Sequence, residues 1–114
     1  MFSCDIVNEN ETTLILAEGE LAYDVCQRLK DLVFEYMRQG VSLSFDMAGV
    51  TFLDCAGAGL LAQLRTLTDR WSGSFELQCL QANVMRMLKL LSLTDYLNAN
   101  APETPRLREA CASN

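Results

Sequence analysis

The residues best placed to do chemistry in this chain lie together at Asp54-Cys55-Ala56-Gly57-Ala58-Gly59-Leu60-Leu61. The apolar pair Phe52-Leu53 ends in a carboxylate, a thiol follows, and two glycines lead into a leucine-rich stretch. This order predicts a tight turn feeding a helix N-terminus, where unpaired backbone N–H groups meet the positive end of the helix dipole. Asp54 can accept those N–H groups or contact a partner at the surface, and the two roles are compatible. Cys55 at such a corner is open to redox sensing. It cannot belong to a Cys-x5-Arg phosphatase loop, because the residue six positions on is Leu61. Gly57 and Gly59 are expected to let the backbone turn tightly and pack close to the sheet. The run from Gly57 to Ala62 also fits G-x-G-x-x-A, a dinucleotide fingerprint. Three features oppose that reading: Asp54 would face the pyrophosphate with like charge, there is room for one nucleotide-binding half, and Glu76 falls inside its strand.

The remaining composition removes whole classes of activity. The chain has no histidine, so Cys-His and Ser-His-Asp nucleophile arrangements are absent and catalysis would fall to carboxylates or lysine. The five cysteines (Cys4, Cys26, Cys55, Cys79, Cys111) include no Cys-x-x-Cys pair. Reduced thiols in the cytosol are the expectation, with no zinc site and no cofactor. A net charge of −6 repels phosphate backbones and anionic headgroups, so direct nucleic-acid binding is not expected. Arg65, Arg70, Arg86 and Lys89 could form a small basic patch at most. No apolar run reaches membrane-spanning length, and Met1-Phe2-Ser3-Cys4-Asp5 lacks the features of a signal peptide. At 114 residues, half hydrophobic and 21% charged, the chain should fold as one domain in the cytoplasm.

The elements that must position the Asp54 corner follow from periodicity. Residues 2–7 and 13–17 read as strands joined by the polar turn Asn8-Glu9-Asn10-Glu11, a hairpin, with Glu18-Gly19-Glu20-Leu21 ending the second. Residues 24–38 read as a helix with the apolar stripe Val25, Leu29, Leu32, Val33, Tyr36 and Met37. Asp24 is its expected N-cap, and Gly40 follows its C-terminal end. Residues 41–47 alternate, with Val41, Leu43, Phe45 and Met47 on one face and Ser42, Ser44 and Asp46 on the other. Residues 75–80 repeat that pattern. Helices are expected mainly on one face of the sheet, leaving the other wetter. A second helix spans 57–71, stopped by Ser72-Gly73, and a third spans 83–92 with Asn83 as cap. Its broad stripe of Met85, Met87, Leu88, Leu90 and Leu91 is either a docking surface or an edge tucked beneath residues 96–111. Thr94-Asp95-Tyr96-Leu97 could add an edge element. Residues 1–100 form the domain, and 101–114 form an extension that is a short helix or loose tail. The order β-β-α-β-α-β-α defines an α/β fold with a mixed sheet and an opening hairpin.

With these elements in place, residues 2–100 resemble the STAS domain family of anti-sigma factor antagonists and sulfate-transporter C-terminal domains. Glu18-Gly19-Glu20-Leu21 resembles the family's Gly-x-Leu-Asp segment. The stretch from Asp46 to Asp54 resembles its D-x-x-x-V-x-x-x-D approach, and Asp54 to Leu60 resembles its D-S-S/T-G-x-G-x-L signature. Two departures matter. Ala22 stands at the usual Asp after Gly-x-Leu, and Cys55, beside Ala56, stands at the phosphoacceptor Ser or Thr. A protein-serine kinase acts on a hydroxyl, so the resemblance implies a binding domain without the standard phosphorylation switch.

By resemblance, the first expectation is a non-enzymatic anti-sigma factor antagonist that binds an anti-sigma factor or serine kinase-like partner. Its contact surface would centre on Asp54, Cys55, Ala56, Gly57 and Gly59, with a loop around Glu20 and Ala22 beside it. A second expectation is the STAS subunit of an ABC-type lipid transporter, stabilising its ATPase. A third is a nucleotide-responsive or redox-sensing module. The wetter sheet face and the hairpin edge could also support a homodimer.

Overall fold

The computed structural model describes residues 1–99. Seven elements follow in the expected order: β1 (Phe2–Glu9), β2 (Thr12–Leu21), α1 (Tyr23–Phe34), β3 (Ser42–Leu53), α2 (Cys55–Arg70), β4 (Ser74–Gln78) and α3 (Ala82–Leu90). The four strands form one sheet in the order β1-β2-β3-β4. β1 and β2 pair antiparallel as a hairpin, while β2–β3 and β3–β4 pair parallel through the crossover helices α1 and α2. The expected mixed sheet is therefore the one observed.

One face of the sheet builds the core. Ile15 and Ala17 of β2, Leu43, Phe45 and Met47 of β3, and Phe75 and Leu77 of β4 are buried in one cluster with residues from all three helices. The rings of Phe45 and Phe75 meet across the β3–β4 pair with centroids 5.7 Å apart. From the helices come Val25, Leu29 and Val33 of α1, Leu60, Leu61 and Leu64 of α2, and Val84 and Leu88 of α3. These are positions of the apolar stripes that helical spacing puts on one side.

The opposite face is drier at its centre than the alternation predicts. Ser44, Asp46 and Gln78 are buried. β3 is an interior strand, flanked on both sides, so short polar side chains on it are shielded by their neighbours. They are also bonded: Ser44 donates to Glu76 at 3.2 Å, Gln78 Nε2 donates to Glu76 at 2.7 Å, and the Ala48 amide donates to Asp46 at 3.0 Å.

Several boundaries differ from the sequence expectation. β2 runs on through Glu18-Gly19-Glu20-Leu21 and β3 through Ala48–Leu53, because these two segments pair with each other. The β3 side carries an extra residue twice in this stretch, between Asp46 and Gly49 and between Val50 and Phe52. Such bulges re-aim side chains, and Thr51 and Phe52 are both exposed here. Helix α1 ends at Phe34 instead of residue 38, with Tyr36 and Met37 half-buried in the turns that follow. Gly40, at φ +77, donates its N–H to the Trp71 carbonyl and so serves the entry to β3. β4 stops at Gln78, where Cys79 adopts φ +61. Thr94–Leu97 forms turns, and the single bridge nearby joins Ala99 to Leu77. The expected extension 101–114 lies outside the described residues.

Candidate functional site

The carboxyl ends of β2 and β3 lie side by side, with Glu20 opposite Phe52 and Leu21 opposite Leu53. Each strand then feeds a helix.

Asp54 organises this corner. It is the N-cap of α2, with extended backbone, and its Oδ1 accepts the Gly57 N–H at 2.7 Å. Its Oδ2 accepts the Tyr23 N–H at 3.0 Å, and Tyr23 is the first residue of α1. One carboxylate thus closes the N-termini of two helices and sits against the positive ends of both dipoles. Asp24 is not the cap of α1. That place belongs to Ala22, which has extended backbone and no side-chain acceptor to offer, so the acceptor arrives from 31 residues away. Likewise Gln81, not Asn83, holds the N-cap place of α3, and Asn83 donates to the Thr51 carbonyl at 2.8 Å.

The two glycines of the motif have separate roles. Gly57 is buried, and a Cβ there would sit 2.3 Å from the Leu21 carbonyl oxygen, so its lack of a side chain lets α2 approach the end of β2. Gly59 does not pack on the sheet. It is exposed, and a Cβ there would meet nothing within 4 Å, because it lies on the outer side of the first turns. Both glycines lie inside α2, and the Gly57 N–H is already taken by Asp54. A dinucleotide cradle needs these glycines in the preceding loop with free N–H groups, and this corner has neither.

Cys55 and Ala56 are exposed on the first turn of α2. An open groove of about 1030 Å³ runs between α1 and α2 from this corner, bordered by Tyr23, Cys26, Lys30, Ala56, Gly59 and Gln63. Ala22 and Asp54 also line it. Tyr23, on this groove, is 71% exposed, and Phe52, near the end of β3, is 46% exposed. The Cys26 thiol bonds the Ala22 carbonyl at 3.3 Å. Burial pushes its pKa up, helped by the negative charges of Asp54 and Asp24.

Of the residues singled out from the sequence, Ala22, Asp54, Ala56 and Gly59 share this groove, and Cys55 is exposed at its head. Glu20 is adjacent but not on a loop: it is an exposed residue of β2, and its N–H bonds the Met1 carbonyl at 3.1 Å. Tyr23, Cys26, Lys30 and Gln63 went unnoticed in the sequence. Their signal was present, since Tyr23, Cys26 and Lys30 follow i, i+3, i+7 spacing, as do Ala56, Gly59 and Gln63.

Among the described residues, no helix is long and apolar enough to cross a membrane. No curated protein matches the chain, but solved structures share its fold. The anti-sigma factor antagonist SpoIIAA in its unphosphorylated form superposes with a TM-score of 0.70 at 18% identity, covering 96% of this chain and 97% of that one. An anti-sigma factor antagonist from Mycobacterium paratuberculosis gives 0.76 at 15% identity, covering 96% and 93%. The murine anion transporter Slc26a9 gives 0.67 at 16% identity, over 78% of this chain but 16% of the transporter. The sequence pattern of the STAS domain matches residues 4–110. With the strand order, helix placement and Asp54 corner described above, this chain belongs to the STAS domain family.

Proposed function

We propose that this chain is a non-enzymatic interaction domain of the anti-sigma factor antagonist type, acting in the bacterial cytoplasm on an anti-sigma factor or serine kinase-like protein. The observation that carries this reading is the Asp54 corner. A carboxylate shared by two helix starts holds the turn fixed, Ala56 and Gly59 stand exposed on one groove with Tyr23, and Cys55 is exposed at its head. Small residues beside an exposed aromatic admit close approach of a partner, and aromatic side chains are enriched at binding hot spots. Nearly full-length likeness to two antagonists supports the same reading.

Cys55 offers a thiol where the resemblance places the phosphoacceptor hydroxyl, so binding is not released by a serine kinase acting there. The test is a kinase assay with radiolabelled ATP and the ATPase-fold anti-sigma factor from the same cells. Wild type is expected to bind without becoming labelled, while Cys55→Ser is expected to bind and be labelled. A Cys55→Ser variant that binds but is never labelled would remove the lost-switch proposal.

One alternative is a STAS subunit of an ABC-type lipid transporter stabilising its ATPase; the likeness to part of an anion transporter supports only the occurrence of this fold within transporters. Co-purification of an ABC ATPase and permease with the native protein, and of no anti-sigma factor, would replace the first reading with this one.

A further inference from the structure

The groove does not end at the Asp54 corner. Lys30 and Gln63, which border it, also border a second furrow of about 380 Å³ further along α1 and α2. The two helices start from one carboxylate and run on side by side, so the furrow continues toward their C-terminal ends. Phe34, Ala62 and Leu67 give it an apolar lining, and Lys30 and Arg70 supply two positive charges. Phe34 is 48% exposed. Among the described residues the salt bridge is Arg65 with Asp69, which leaves Lys30 and Arg70 without a carboxylate. The Lys30 ammonium lies 5.9 Å from the centroid of the Phe34 ring. In a chain with fifteen acidic and nine basic residues, two unpaired cations beside an exposed phenyl ring mark a local reversal of charge.

We infer that this furrow docks an acidic amphipathic helix of the partner protein. The inference rests on the interaction-domain reading and names the chemistry of what binds. A site for a small molecule buries most of its ligand, whereas this furrow is open along the helices. An amphipathic helix lays its apolar face into such a groove through anchors at i, i+3, i+4 and i+7. Its leucine-like anchors would meet Phe34 and Leu67, and its carboxylates would meet Lys30 and Arg70. The other end of the groove carries Asp24 and Asp54, so the charge gradient sets the direction in which a helix lies.

The test uses the full chain and a fluorescein-labelled 18-residue helical peptide with leucines at i, i+3, i+4 and i+7 spacing and glutamates elsewhere, followed by anisotropy. Wild type should bind this peptide in the micromolar range, and a lysine-for-glutamate version should not bind. Lys30→Glu with Arg70→Glu should weaken binding by about five-fold or more, the scale of two rim charges reversed. The same reversal at Arg86 and Lys89, exposed on α3, should leave binding unchanged. No binding to wild type, or equal loss from both double variants, overturns the furrow. Failure of the anti-sigma factor to bind wild type while the peptide still binds would instead overturn the partner class.

Discussion

Replacing Asp54 with alanine should destabilise two helices at once. Its two oxygens accept the Gly57 N–H at 2.7 Å and the Tyr23 N–H at 3.0 Å. Losing an N-cap acceptor costs about 0.5–2 kcal/mol, typically about 1. The α1 start has no acceptor of its own on Ala22, so its loss adds a similar amount. Together they give about 2–3 kcal/mol, or roughly 10–20 °C in Tm for a domain near this size. Asp54→Asn keeps one acceptor oxygen and turns an amide N–H₂ toward the other donor, so its cost should be about half. Urea and thermal unfolding followed by circular dichroism at neutral pH measure both variants, and hydrogen exchange reads the Tyr23 amide directly. A loss below about 0.5 kcal/mol for Asp54→Ala, or unchanged protection at Tyr23, would refute the shared cap. The same geometry shows why charge reversal at Asp54 is a poor probe of binding: it disturbs the fold as well as the surface.

Two further outcomes follow from the same region. Gly57→Ala should cost more than about 2 kcal/mol by urea unfolding, because its Cβ would fall 2.3 Å from the Leu21 carbonyl and backbone would have to move. Among the four cysteines of the described residues, alkylation by iodoacetamide, mapped by mass spectrometry at pH 8, should label exposed Cys55 first, half-buried Cys26 and Cys4 later, and buried Cys79 last. Burial raises the thiol pKa of Cys26 and Cys4 above the usual 9.0, with nearby carboxylates adding to it, so less thiolate is present at pH 8. By the same sign, these protonated thiols favour the folded state below about pH 9, and that contribution is lost as the pH rises through their raised values. Stability at pH 10 should therefore fall less in Cys26→Ser than in wild type.

The order of elements was legible in the sequence because each carries its own period. Val25, Leu29 and Val33 repeat as a helix, and Leu43, Phe45 and Met47 alternate as a strand, and all six are buried. What could not be read were features made by distant partners. Ala48–Leu53 does not alternate, since two extra residues in β3 shift its register against β2, and only the pairing reveals it as strand. Ala22 is a poor cap by any local rule, yet α1 begins there because Asp54 supplies the acceptor. Ser44 and Asp46 looked solvent-facing from alternation alone, whereas neighbouring strands shelter both, Ser44 bonding Glu76 and Asp46 accepting the Ala48 amide. At the groove between α1 and α2, Asp54 and Ala56 were singled out from the motif and line it in the structure, with Cys55 exposed at its head. Tyr23, Lys30 and Gln63 lie at helical spacings that could have marked them, but only the pairing of α1 with α2 brings them onto one groove.

Gly59 gives the most direct test of the interaction surface. It borders the groove, and a Cβ there meets nothing within 4 Å, so Gly59→Gln should raise stability by about 0.5–1 kcal/mol through better helix propensity. The same side chain would stand where a partner must approach. Isothermal titration of wild type and Gly59→Gln against the proposed anti-sigma factor partner should show affinity reduced at least ten-fold, about 1.4 kcal/mol, in a protein that unfolds at higher temperature. Equal affinity for the two proteins would contradict binding through the Asp54 corner.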